Sequence, residues 1–187
     1  MLAWLAFPAT PATAADYDSA MAAYRGGDHA AALTGFQALA DDGDARAQLA
    51  LAIMHIRGEG VEKDLATAAE WFGKAAEQGN SMAQFHLGRM YLAGAGVDRN
   101  HVEAADLFQK AAASGMVDAE YALAVIYSGG GGGVTKDPAR AARHARTAAE
   151  AGLPQGMLLL SQMHRNGDGV EPDLAEAYFW AFIAAQS

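Results

Sequence analysis

Four glycines at nearly equal intervals constrain the fold of this 187-residue chain more than any other feature. Gly43, Gly79 and Gly115 follow one another at 36 residues, and Gly152 comes 37 residues after Gly115. The extra residue falls in the glycine run 129–133, where it lengthens a loop and leaves the flanking segments in register. A fixed period of this size indicates a repeat array in which each unit packs only against its neighbours.

The first half of each unit has the spacing of an α-helix, which we call helix A. A small residue is followed after four positions by leucine and after four more by a ring, so all three lie on one helix face. The columns are Ala47, Ala83, Ala119 and Gly156; Leu51, Leu87, Leu123 and Leu160; and His55, Tyr91, Tyr127 and His164. A second small residue beside each leucine, such as Gly88, predicts that another helix approaches closely.

A glycine-rich loop and a second helix, helix B, complete each unit. Paired glycines such as Gly58 and Gly60 suit the positive φ that ends a helix, and a valine follows each pair. Three residues after the valine, a side-chain oxygen is placed to cap helix B. The predicted caps are Asp64, Asn100, Asp137 and Asp173.

The unit from Ala83 to Ala112 shows the complete pattern, A-x3-LG-x2-Y-x2-G-x-GV-x2-N-x3-A-x2-LF-x2-AA. This pattern resembles the Sel-one-like repeat, a relative of the tetratricopeptide repeat. The resemblance implies an all-α fold, a right-handed α-solenoid of stacked antiparallel helix pairs, and a role in protein–protein interaction. We expect a divergent helix pair at 16–42 and four repeats at 43–78, 79–114, 115–151 and 152–187.

Residues 1–15 differ from the array in composition. An apolar run precedes Ala12-Thr13-Ala14, which fits the small-x-small rule for signal peptidase, although the usual positive n-region is missing. This segment predicts a cleaved signal peptide and a periplasmic or secreted protein. The alternative is an apolar N-terminal tail on a cytoplasmic protein. The run is too short to span a bilayer, which takes about 20 apolar residues.

Charge and composition disfavour several classes of partner and site. The net charge is −9 and no basic stripe offsets it, so we expect no nucleic-acid partner. The chain has no cysteine, which excludes disulfides and thiolate metal sites.

No motif in the sequence carries catalytic or cofactor chemistry. Lys136 follows the glycine run without the spacing of a phosphate-binding loop. His55 and His164 replace tyrosines, His144 stands in the column of Trp71, and His86 is at a surface-prone position. We therefore predict no catalytic, metal or cofactor residue. The alternative function is a hydrolase acting on cell-wall or β-lactam material, as the resemblance to cysteine-rich relatives suggests.

A partner-binding surface is predicted on helix A, opposite its core stripe. One column there is Leu49, Phe85, Tyr121 and Leu158, and the next is Ile53, Arg89, Val125 and Gln162. The A helices of helix-pair solenoids line the concave surface, so we expect these columns to form a groove for a partner peptide or helix. Alternatively, tight superhelical curvature buries the first column under neighbouring A helices.

The last predicted helix contains a second candidate surface. Its aromatic residues are Tyr178, Phe179, Trp180 and Phe182. If they are exposed, they form an apolar patch suited to self-association or to a partner. The alternative is that the rings fold back onto the fourth unit.

Overall fold

The computed structural model describes residues 16–187, and these residues form α-helices joined by short loops. The helices are α1 (Tyr17–Arg25), α2 (His29–Asp41), α3 (Ala45–Arg57), α4 (Leu65–Glu77), α5 (Ser81–Ala93), α6 (His101–Ala113), α7 (Val117–Gly129), α8 (Pro138–Glu150), α9 (Pro154–Asn166) and α10 (Leu174–Ala184). The odd-numbered helices are the A helices and the even-numbered ones are the B helices. None of the ten is both long and apolar enough to cross a lipid bilayer.

Each helix packs mainly against the helices that precede and follow it in sequence. The two helices of a pair pack together most extensively, and each B helix then packs against the next A helix. The fold is therefore an all-α repeat solenoid, as the sequence predicts. Its stability comes from nearest-neighbour contacts along a single axis.

The predicted caps define the helix boundaries. Asp64 accepts hydrogen bonds from the backbone N–H groups of Ala66 and Thr67, so it satisfies two donors that have no partner within the helix. Asn100 and Asp173 cap α6 and α10 in the same way, and Asp137 caps α8 by accepting one bond, from the backbone N–H of Arg140. These hydrogen bonds fix where each B helix begins.

Glycine ends the A helices. Gly58, Gly94 and Gly167 adopt the left-handed conformation at the C-termini of α3, α5 and α9. Gly130 has a positive φ but an extended ψ of −164°, and the longer third loop closes with an antiparallel bridge between Gly131 and Val134. The extra residue is thus absorbed in a loop, and the following B helix keeps its position.

A buried ring on each of three successive B helices anchors the core. Phe36, Phe72 and Phe108 are fully buried at intervals of 36 residues. The leucines and small residues of the A helices pack around them. In the third unit Ala145 occupies the phenylalanine position and is also fully buried.

Small residues set the distance between helices, as predicted. A Cβ atom on Gly88 would lie 2.9 Å from Cε1 of Phe108. A Cβ atom on Gly156 would lie 2.7 Å from Cβ of Ala148 and 2.9 Å from the backbone nitrogen of Ala149. Both separations are shorter than van der Waals contact, so the helices meet at these points.

Three of the four aromatic residues of α10 are exposed and the fourth packs against the core, so each of the two expected arrangements occurs. Tyr178, Phe179 and Phe182 are 79%, 52% and 57% exposed. Trp180 instead packs against the core and donates its indole N–H to Glu176 at 3.0 Å. Tyr178 stands at a repeat position that is held in the three preceding units by a buried alanine, namely Ala69, Ala105 and Ala142.

Candidate functional site

The two predicted columns of helix A form the surface that we call the A-helix face. It comprises Leu49, Phe85, Tyr121 and Leu158, and beside them Ile53, Arg89, Val125 and Gln162. All eight residues are exposed or half-buried. Val125 and Leu158 are 45% and 56% exposed, so apolar surface remains accessible in the third and fourth units.

Some residues of the A-helix face also support the core. The ring centroid of Phe85 lies 5.6 Å from that of the buried Phe108. Leu49 and Ile53 pack at the edge of the core cluster of α4 and α5. Truncating these three side chains would disturb packing as well as the surface. The exposed residues of the face are therefore the better probes of binding.

Two pockets open on this face between successive A helices. The α3–α5 pocket has a volume of about 420 Å³, and α4 contributes to its lining. Its lining includes Ile53, Ile56, Arg57, Leu65, Phe72 and Arg89. The α1–α3 pocket has a volume of about 320 Å³ and its lining includes Tyr17, Met21, Arg46, Leu49, Ile53 and Arg57. Ile53 and Arg57 line both pockets, so the two are adjacent.

Arg57 is held between the pockets by a hydrogen-bonded network. Its guanidinium donates to the hydroxyl of Tyr24 at 2.9 Å and lies 3.8 Å from the carboxylate of Glu59. The Tyr24 hydroxyl donates in turn to Glu59, and this bond raises the tyrosine pKa above its usual value. The network connects α1 to the end of α3 and orients a half-exposed arginine.

Arg46 and Arg89 have different electrostatic surroundings. Arg46 forms an ion pair of 2.8 Å with Asp44, and this contact is the main reason that the pKa of Asp44 is lowered. Arg89 is exposed, and among residues 16–187 it forms no ion pair. The ring centroid of Phe85 lies 5.9 Å from its guanidinium carbon. Arg89 can therefore accept an anionic partner without giving up an existing one.

The prediction that His86 lies at the surface is wrong. The imidazole is half-buried in the lining of the α3–α5 pocket and stacks on Phe72, with ring centroids 5.2 Å apart. Burial lowers the pKa of His86, and the nearby charge of Arg89 lowers it further. His86 is therefore a neutral, flat wall of the pocket near neutral pH.

The other conspicuous histidines and the glycine run have packing partners. His144 approaches Glu120 at 2.7 Å and stacks on Tyr127, whereas the buried His164 lies 3.2 Å from Arg146. Within residues 16–187, no three His, Asp or Glu side chains are grouped so that they could hold a metal ion. The glycine run connects α7 to α8, and a further pocket of about 540 Å³ lies beside it.

Comparison with known families accounts for the repeat geometry. The model of the Sel1 repeat matches residues 45–80, 81–116, 117–153 and 154–187. The chain belongs to the Sel1 repeat family. These matches include every helix from α3 to α10 and leave α1 and α2 outside. No functionally curated protein gives a significant match.

Solved structures include several similar Sel1 repeat proteins. A protective antigen present in uropathogenic Escherichia coli strains, which displays an SLR fold, is 32% identical with a TM-score of 0.86; the match covers 91% of this chain and 37% of that protein. A Sel1 repeat protein from Oxalobacter formigenes is 28% identical with a TM-score of 0.80, over 95% of this chain and 75% of that one. The chain thus spans little more than a third of the length of the E. coli protein.

Two buried glutamines each connect an A helix to the preceding B helix, and neither was predicted from the sequence. The Gln48 side chain donates to the carbonyl of Ala40 at 3.2 Å, and Gln84 donates to the carbonyl of Ala76 at 3.1 Å. Each glutamine adds a second hydrogen bond to a carbonyl in the last turn of the preceding B helix, which already accepts the backbone N–H of Gly43 or Gly79. The recurrence of glutamine at an interval of 36 residues was the available signal.

Proposed function

We propose that this Sel1 repeat chain is a non-catalytic protein-binding module, an adaptor or regulator whose A-helix face receives a peptide or a helix of a partner protein. One observation carries the proposal. Pockets of about 420 and 320 Å³ open between successive A helices, along columns whose apolar side chains remain accessible. Aromatic, aliphatic and arginine side chains around such pockets are the residue types that anchor interfaces.

The solenoid supports this function because it presents the face in a preordered form. The B helices begin at side-chain caps, and buried rings fix them against the A helices. A partner that docks on such a surface does not have to order it, which lowers the entropic cost of binding. Most of that cost then falls on the partner segment.

The proposed site of action is the bacterial envelope or the extracellular space. This part of the proposal rests on the signal-like composition of residues 1–15, which lie outside the residues that the structure describes. Cleavage after Ala14 would leave the array intact, because α1 begins at Tyr17.

The test compares partner capture by three forms of the protein. Crosslinking pull-downs from the producing cells would use the wild type, an Arg89→Glu/Val125→Gln/Leu158→Gln variant and an Arg143→Glu/Val102→Gln control on the B helices. All five positions are exposed, so we expect unchanged circular dichroism. We expect the wild type and the control to capture the same partner and the face variant to lose it.

Two results would contradict the proposal. Equal capture by the face variant would move the binding surface away from the A helices. Turnover of a β-lactam reporter or of cell-wall fragments by the purified protein would favour the alternative hydrolase function over a purely binding role.

We further propose that α10 supports self-association through Tyr178, Phe179 and Phe182. With about 200 Å² for each large side chain, these residues and the exposed Leu174 leave about 500 Å² of apolar surface per chain. Symmetric pairing of two such helices would bury about 1,000 Å², the lower limit for a specific interface. Light scattering tests this, because a strict monomer at high concentration would refute it.

A further inference from the structure

We propose that the α3–α5 pocket binds an acidic peptide segment, with an apolar side chain of the ligand in the pocket and a carboxylate paired with Arg89. This inference rests on the proposed function of the A-helix face and specifies the chemistry of its ligand. Three observations support it: the distribution of charge over the helices, the pairing state of the arginines, and the apolar lining of the pocket.

The A helices are the part of the described chain in which basic residues outnumber acidic ones. The whole chain contains 22 acidic and 13 basic residues, and twelve of the acidic ones lie outside the helices of the described region. The A helices contain five basic and three acidic residues, namely Arg25, Arg46, Arg57, Arg89 and Arg165, and Asp18, Asp118 and Glu120. The two A helices at the pocket, α3 and α5, contain three arginines and no acidic residue; Asp44 and Glu59 balance two of these charges, so the net positive charge at the pocket is that of Arg89.

The net charge of −9 repels an acidic ligand at long range, but this repulsion is weak at contact. At physiological ionic strength the Debye length is about 8 Å, so separate loop charges are largely screened at greater distances. A carboxylate within hydrogen-bonding distance of a guanidinium experiences mainly that guanidinium. Charge-assisted pairs of this kind are about twice as strong as neutral hydrogen bonds.

Arg89 is the arginine at the pocket that can form a new ion pair. Arg46 is already paired with Asp44 at 2.8 Å, and Arg57 is oriented by Tyr24 and Glu59. Arg89 is exposed and, within the described part of the chain, has no ion-pair partner. Arg57 lines the same pocket and adds a second donor. A carboxylate is the chemical group that matches this arrangement.

The lining of the pocket indicates that the ligand also presents an apolar side chain. Ile53, Ile56, Leu65 and Phe72 provide aliphatic and aromatic walls. The volume of about 420 Å³ lies within the usual range for ligand sites, about 300–1,000 Å³. Such a space accommodates a large apolar side chain, and a neighbouring Asp or Glu then reaches the arginine at the rim. The ligand therefore combines both residue types within a few positions.

The experiment selects peptides from a random twelve-residue display library on the full chain. We expect the enriched peptides to combine Asp or Glu with Leu, Ile, Phe or Trp, and to bind more weakly as salt concentration rises. Enrichment of neutral or basic peptides at the A-helix face would overturn this inference while leaving the proposed function intact. The absence of any enriched peptide that binds there would count against both.

Charge variants of the protein test whether Arg89 is the residue that pairs with the carboxylate of the peptide. For an enriched acidic peptide, we expect Arg89→Gln to weaken binding about tenfold and Arg89→Glu to weaken it further, because a hydrogen bond between charged groups is lost. Arg143→Gln on α8 removes the same charge from the opposite side of the solenoid and is expected to leave the affinity unchanged. Replacing Glu or Asp of the peptide by Gln or Asn should reproduce the effect of Arg89→Gln. Equal affinity of the peptide for Arg89→Glu and wild type would refute the assignment.

Discussion

Replacing glycine by alanine is expected to change the free energy of unfolding in opposite directions at two helical positions, Gly73 and Gly156. Gly73 lies inside α4, and a Cβ atom there would meet no atom within 4 Å. Gly156 lies in α9, where a Cβ atom would come within 2.7 Å of Cβ of Ala148 and 2.9 Å of the backbone nitrogen of Ala149. Substitution by alanine therefore makes the same chemical change in open space and in a close helix contact.

The expected magnitudes follow from two competing effects. Replacing glycine by alanine inside a helix stabilises it by up to about 1 kcal/mol. This gain applies fully to Gly73→Ala. At Gly156 the opposing atoms belong to a buried alanine and to backbone, so no side-chain rotation relieves the contact. Overpacking of this kind costs about 1–3 kcal/mol, which exceeds the gain. We expect Gly156→Ala to lower the free energy of unfolding by about 1 kcal/mol.

Urea unfolding followed by far-ultraviolet circular dichroism measures the difference between the two variants. We expect them to differ by about 2 kcal/mol, with melting temperatures that shift in opposite directions by about 2–4 °C each. Equal slopes with respect to urea would show that the change lies in stability. If Gly156→Ala stabilises the protein as much as Gly73→Ala does, the close approach of α8 and α9 is refuted.

Three further predictions concern the unit junctions, pH and export. Gln48→Leu removes the bond to the carbonyl of Ala40 and the bond accepted from the side chain of Gln78, and should lower the free energy of unfolding by about 1 kcal/mol in urea titrations; an unchanged midpoint would show that these bonds contribute nothing. The pKa of His86 is lowered in the folded protein from about 6.5, so protonation favours the unfolded chain and stability should fall as pH drops below that value. His86→Phe retains an aromatic ring against Phe72 and should reduce this loss between about pH 7 and pH 5; an identical pH profile would contradict the assignment. N-terminal sequencing of the protein from its native cells should begin near Ala15, and a retained residue 1 would refute cleavage.

Features that depend on nearby residues could be predicted from the sequence. The cap at Asp64 and the left-handed turn at Gly58 each involve residues within one or two helical turns, so the local pattern determines them. The helix pairs then follow from the repeat, because the same pattern occurs four times.

Features that depend on the neighbouring unit could not be predicted in the same way. A helical wheel places Gln84 and His86 on α5 but does not show which side of α5 meets α4. Their partners, Ala76 and Phe72, lie in the preceding unit and become neighbours only when the units stack. The α3–α5 pocket has the same origin, since its shape depends on the spacing between consecutive A helices.

Tyr178 defines a sequence requirement for extending this solenoid by design. Ala69, Ala105 and Ala142 are buried in core clusters that include residues of the following unit, whereas Tyr178 at the same repeat position is 79% exposed. A copied unit placed on α10 with the geometry of the other junctions would overlap that ring. Adding a repeat by design would therefore require Tyr178→Ala, which restores the small side chain that the preceding units have at this position.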